Sequence, residues 1–203
     1  ILAALAAIWL SFRLGFFDTN DDMLMAKYGA GTQIIEIDGV RFRMKDEGNG
    51  YPVMLLHGAL GNLNFWDSWA DALVAGGYRV IRFDGPPEGL SDIDPKGHTH
   101  ARLADLAMIL ADTLGLKTFA IGGTSRGGQS ALLNAASHPD RITHLVLTQT
   151  PVYKYETTRP PKAVLRQIKL SQTLLSGYRP KAYWKAVLSN LFEDQSALTP
   201  QIV

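Results

Sequence analysis

The sequence holds no cysteine, which excludes disulfides, thiolate zinc sites and a cysteine nucleophile. A fold without cysteine suits an oxidising or a reducing compartment equally, so cysteine usage does not locate the protein. Basic tracts longer than two residues are also absent, and 20 Lys and Arg against 19 Asp and Glu leave a net charge of +1. A nucleic-acid role therefore has no electrostatic footprint in this chain. No internal repeat or low-complexity segment is visible. What is present, 203 residues with 46% hydrophobic and 19% charged side chains, suits one globular domain with a real core.

A long apolar run is missing too, with one partial exception. The stretch ILAALAAIWL fills residues 1–10, enough for about 15 Å of helix, half of a bilayer core. Apolar character continues through SFRLGFF to Phe17, interrupted by Arg13, whose side chain can snorkel to an interface. A membrane anchor, a signal peptide and a buried or amphipathic helix are the three readings. FRLGFFD lacks the A-x-A pattern of a cleavage site, so residues 1–20 are expected to be an anchor, with export or a cytoplasmic location as alternatives. Because the chain starts with Ile1, upstream residues are expected.

From residue 33 the pattern becomes regular. QIIEIDGVRFRMKDEGNG reads as strands over 33–38 and 40–47 joined by Asp38-Gly39, a favoured hairpin turn. PVMLLHG (52–58) is a continuous apolar run of the kind found in strands buried on both faces. NLNFWDSWADALVAGG (62–77) places Phe65, Trp66, Trp69 and Leu73 along one helical face and ends on glycines. YRVIRFD (78–84) is another strand, and ARLADLAMILADTLGL repeats apolar residues at helical spacing up to Gly115. KTFAIGGT (117–124) is a strand, GGQSALLNAAS a helix, and RITHLVLTQT (141–150) a further buried strand. Strands alternating with helices imply right-handed crossovers and a mostly parallel sheet with helices on both faces. After Pro151 the polar VYKYETTRPPK reads as a connector, followed by helical segments at about 162–177 and 180–192. Residues 33–150 thus form a core, and 151–203 the start of a helical insertion.

Three turns carry the chemistry. IGGTSRGGQSA (121–131) sets Gly123, Ser125 and Gly127 at G-x-S-x-G spacing between a strand and a helix. A serine on that tight turn is held out of the sheet, and small residues on either side let the backbones approach. The helix N-terminus beside it offers N–H groups and partial positive charge to a developing oxyanion. In LLHGALGN (55–62) the strand ends in His57-Gly58, which turns the next N–H toward a neighbouring strand end. Ala59 N–H and Arg126 N–H then make a two-donor oxyanion hole, where losing one donor typically costs about 3 kcal/mol. His57, at a strand end before a glycine turn, reads as structural. RFDGPPEGLSD (82–92) by itself reads only as a loop.

Together these turns resemble the α/β-hydrolase superfamily, over residues 33–203. The family has an H-G turn after its third strand, D-x-P-G-x-G-x-S after the fourth and a serine elbow after the fifth. Here they stand as His57-Gly58, Asp84…Pro86…Gly89…Ser91 and Gly123…Gly127. SHPDRITHLVL (137–147) also looks like the family's entry into its sixth strand. NFWDSWADALVAGGYRVIRFD and LFEDQSALTPQIV look most like membrane-anchored hydrolases near the haloalkane dehalogenase and epoxide hydrolase branch. Those two enzyme types use an aspartate nucleophile, whereas this chain has Ser125. One departure is Pro87, where the family usually has glycine.

The resemblance implies a triad in the order Ser, acid, His, with the base after the eighth strand. Five histidines are present, His57, His98, His100, His138 and His144, and none stands in that position. His98-Thr99-His100 is a poor metal pair at i, i+2 spacing, and no metal or cofactor is expected. Where some members place the acid, this chain has Thr148, Gln149 and Thr150. The chain is accordingly expected to stop before the strands that carry acid and base, and to be inactive alone.

The function the resemblance implies is a serine hydrolase acting through an acyl-enzyme on a small-molecule acyl substrate, a carboxylic ester foremost. A non-catalytic ligand- or partner-binding protein on the same fold is the alternative, as is serine chemistry on a carbon–carbon bond, lactone or peracid. Oligomeric state is left open.

Overall fold

The computed structural model describes residues 2–14 and 21–152, with isolated helical positions at 162, 165, 166, 169 and 185. The chain divides into two compact units, residues 1–20 with 156–203, and residues 21–155. In the first unit, α1 (Leu2–Arg13) is a 12-residue helix with Ile8, Trp9 and Leu10 exposed. No helix among the described residues is long and apolar enough to cross a membrane. The helical segments expected at 162–177 and 180–192 lie outside the described residues, the isolated positions apart.

The second unit is built on a six-stranded sheet in the order β1-β2-β4-β3-β5-β6. The strands are β1 (Gln33–Ile37), β2 (Val40–Glu47), β3 (Tyr51–Leu56), β4 (Tyr78–Phe83), β5 (Phe119–Thr124) and β6 (Ile142–Thr148). The β1–β2 hairpin and the β2–β4 pair are antiparallel, and every other pairing is parallel. Asp38 and Gly39 join the hairpin at φ +52° and +77°, the two left-handed residues a tight hairpin turn needs. A helix that the sequence reading had not marked, α2 (Asp21–Tyr28), precedes the sheet.

Alternation along the central strands sends side chains to two cores. Met54, Leu56, Ile81, Phe83, Phe119 and Ile121 face α4 (His100–Thr113) and α5 (Ser125–Ser137). Val53, Leu55 and Val80 face the other side, where they meet Trp66 and Ala70 of the segment carrying α3 (Asp67–Ala75). Helices therefore cover both faces. Ser130 Oγ donates to His100 O at 2.9 Å and Asn134 Nδ2 to Ala104 O at 3.2 Å, which pins α5 onto α4.

One expectation needs correction. The helix expected over 62–77 is a 3-10 turn, Leu63–Trp66, followed by α3, and the change of pitch breaks the aromatic stripe. Trp66 is buried, while Phe65 and Trp69 are exposed. The apolar strand read at 141–150 is β6, which pairs only with β5 among the described residues and is exposed over much of its length, as an edge strand is. His144 on it is exposed, beside an apolar groove of about 510 Å³ lined by Tyr51, Leu55, Trp69 and Val146.

Candidate active site

Ser125 stands where β5 ends and α5 begins, at φ +49°, in the left-handed region that a residue with a side chain rarely adopts. Such strain persists where surrounding structure over-determines the turn, and glycines do that here. A Cβ on Gly123 would lie 2.5 Å from the carbonyl of Gly127. One on Gly127 would lie 2.5 Å from His57 O and press on Leu56 O, the end of β3. Gly128 likewise has no room, because Thr150 fills the space beside it. The turn is as tight as the G-x-S-x-G spacing requires, and it leaves Ser125 exposed. No hydrogen bond among the described residues engages Ser125 Oγ.

The loop after β3 reaches the same place. Leu56 is in register with Gly123, so the two strands end side by side. A Cβ on Gly58 would stand 3.2 Å from Ser125 Cβ, which puts the His57-Gly58 turn directly against the serine. Ala59 follows, exposed, and its N–H meets no hydrogen-bond acceptor among the described residues. Arg126 is the second residue of α5, and first-turn N–H groups have no carbonyl one turn back in their own helix. The structure thus brings Ser125, Gly58, Gly123 and Gly127 together, with Ala59 and Arg126 each adjoining them in sequence.

His57 is fully engaged elsewhere. Gly85 donates its N–H to Nε2 at 2.8 Å, so the proton sits on Nδ1, which donates to Gly58 O at 2.7 Å. Burial pushes its pKa below 6.5, against weaker support for the charged form from the Gly58 carbonyl, Asp84 and Glu88. The ring is a neutral strut between the loops after β3 and β4.

The loop after β4 is held by a buried carboxylate. Asp84 accepts the N–H of Leu63 at 2.7 Å and of Leu90 at 2.8 Å, and pairs with Arg43 Nε at 3.0 Å. Gly89, at φ +64°, lies against that carboxylate, where any Cβ would overlap it. Ser91 Oγ accepts the Arg43 N–H at 2.9 Å, closing the motif back onto β2. The Pro86–Pro87 peptide is cis, and Glu88 N–H donates to Gly85 O at 3.0 Å across the turn.

Sequence reading missed Glu88. Its carboxylate accepts the Leu60 N–H at 3.2 Å and pairs with the Arg126 guanidinium, so Arg126 is ion-paired beside the elbow. The available signal was one acidic residue in a turn otherwise made of glycine and proline. Thr150 was likewise read only as the absence of an acid; its hydroxyl packs on Gly128 and donates to Thr148 O at 3.0 Å.

The remaining histidines stand apart. His98 precedes α4, His100 opens it, His138 closes α5, and His144 bonds Thr143 Oγ1 at 3.1 Å on β6. None donates to or accepts from Ser125. Among the described residues no three potential metal ligands cluster.

The model of the alpha/beta hydrolase fold family matches residues 51–182, and the chain belongs to that family. A 2-hydroxy-6-oxononadienedioate/2-hydroxy-6-oxononatrienedioate hydrolase of Burkholderia vietnamiensis is 38% identical over 120 residues, 54% of this chain and 41% of that protein. A zearalenone hydrolase of Cladophialophora bantiana is 26% identical over 136 residues, 63% of this chain and 49% of that one. The crystal structure of a hydrolase from Pseudomonas aeruginosa superposes with a TM-score of 0.68 at 22% identity, over 85% of this chain and 64% of that one, a likeness of fold. The chain spans about half the length of the curated relatives it matches.

Proposed function

We propose that the full-length protein is a serine hydrolase with Ser125 as nucleophile. The observation that carries this is Ser125 at φ +49° on a glycine-walled strand-to-helix turn, with its hydroxyl exposed. A binding module has no use for that strain, which is why the non-catalytic alternative ranks second. Ser125 Oγ attacks the carbonyl carbon of the substrate, its proton passes to a base, and the oxyanion is held by Ala59 and Arg126 N–H. The tetrahedral intermediate collapses as the base returns that proton to the leaving oxygen and a neutral alcohol departs; water, deprotonated by the same base, then attacks the acyl-enzyme, releasing the acid and restoring the serine hydroxyl. His57 is occupied at both ring nitrogens, so the base is assigned to sequence that this chain does not span.

A carboxylic ester is the proposed substrate class. A second reading, hydrolysis of a carbon–carbon bond next to a carbonyl, is favoured by the 38% identity to the Burkholderia vietnamiensis hydrolase. Assaying the full-length protein and Ser125→Ala against p-nitrophenyl esters and a dienoate ring-fission product separates the two. Ser125-dependent turnover of esters alone supports the first, and of the dienoate alone the second. Residues 1–20 are further proposed to hold the protein at a membrane surface, on the strength of the apolar α1.

A further inference from the structure

The two N–H groups assigned to the oxyanion belong to separate segments, Ala59 on the loop after β3 and Arg126 on the first turn of α5. One carboxylate touches both segments. Glu88 Oε1 accepts the N–H of Leu60, the residue after Ala59, at 3.2 Å, and Glu88 Oε2 pairs with the Arg126 guanidinium. Arg126 Nη2 also reaches Gly85 O at 3.4 Å. The side chains of Arg126 and Glu88 are only 10% and 16% exposed, so each charge has little water to turn to. Leu60 sits at φ +64°, a conformation that needs an outside hold, and the bond to Glu88 supplies one.

We propose that Glu88 and Arg126 form a positioning pair that fixes the Ala59 and Arg126 N–H groups relative to each other. The carboxylate clamps the peptide next to Ala59, and the guanidinium fastens that clamp to the elbow. With its charge matched by Glu88, Arg126 serves the fold of the site here. The proposal rests on the nucleophile assignment above. Preorganised donors stabilise an oxyanion only when they are held in place before the reaction, so loosening this pair slows acylation and leaves ground-state binding alone.

The test uses the full-length protein, following the rate of Ser125 phosphonylation by a fluorophosphonate together with kcat, KM and Tm. Glu88→Ala is expected to slow phosphonylation by about 10- to 100-fold with KM within about twofold of wild type. Glu88→Gln keeps an acceptor for Leu60 N–H and is expected to lose only about 3- to 10-fold. Adding Arg126→Met to Glu88→Ala is expected to cost little more, because the two act as one unit. Wild-type rates in both Glu88 variants overturn the proposal, as does a loss that follows Tm or appears in KM. If Glu88→Ala does not fold, Glu88→Gln decides: a slower rate at unchanged Tm supports the pair, and an unchanged rate refutes it. A wild-type protein not labelled at Ser125 overturns the nucleophile assignment as well, whereas normal labelling with indifferent Glu88 variants overturns the pair alone.

Discussion

The N–H of Gly85 meets Nε2 of His57 at 2.8 Å, and this one bond fixes the histidine's tautomer, its charge and its job. A ring that must accept at Nε2 and donate at Nδ1 has no nitrogen left for proton transfer. It spaces the loop carrying Ala59 from the turn carrying Glu88.

The consequence for stability has a definite sign. Burial lowers the His57 pKa below 6.5 in the fold, so between those two values the unfolded chain binds the extra proton. Stability from the neutral ring is therefore complete above about pH 6.5 and falls as pH drops beneath it, by up to about 1.4 kcal/mol per pH unit. Urea unfolding midpoints between pH 7.5 and 5.0 should show this slope in wild type and a flatter one in His57→Gln. Identical slopes in the two proteins would contradict the strut.

Asp84 carries a larger share of the architecture. It satisfies two loop N–H groups and neutralises Arg43, with both side chains almost wholly buried. Removing one partner of a buried pair typically costs about 3–5 kcal/mol, because the other charge is stranded. Asp84→Ala should lower the urea midpoint accordingly. A double variant with Arg43→Met should be less destabilised than Asp84→Ala alone; a further drop would show that the ion pair is not the source of the loss.

The elbow glycines should separate fold from chemistry. Gly127→Ala forces a Cβ into the backbone of β3, so a drop in Tm and loss of Ser125 labelling are expected together. Gly58→Ala places its Cβ 3.2 Å from Ser125 Cβ and 3.4 Å from Thr124 O, a milder crowding than at Gly127 but one that bears directly on the serine. It should keep Tm within a few degrees while slowing acylation several-fold. Comparing Tm with acylation rate in the two variants checks this, and equal behaviour would count against the geometry.

Residues 1–203 alone should show no acyl-enzyme burst with p-nitrophenyl acetate, since no histidine in the chain is placed to serve Ser125. Loss of a serine hydrolase triad typically lowers kcat by on the order of 10⁶-fold. A stoichiometric burst would contradict this account.

Much of this fold was legible because its signals are local. Asp38-Gly39 announces a hairpin through two left-handed residues, and Gly123, Ser125 and Gly127 announce an elbow through their spacing between a strand and a helix. What escaped depends on partners far along the chain. Trp66 and Trp69 look alike in sequence, yet the 3-10 turn buries one and exposes the other. Glu88 and Arg126 are 38 residues apart, and no local signal picks out Glu88 as the partner of that arginine. His57 was readable as structural from its glycine turn, but its tautomer was not, because Gly85 sets it from another loop.

The central claim is that Ser125 is the nucleophile of the full-length protein. Intact-mass measurement after treatment with a fluorophosphonate, wild type beside Ser125→Ala, tests it most directly. One equivalent of adduct, located on Ser125 by peptide mapping and absent from the variant, is the predicted result. An unmodified wild type, or equal labelling of the variant, would contradict it.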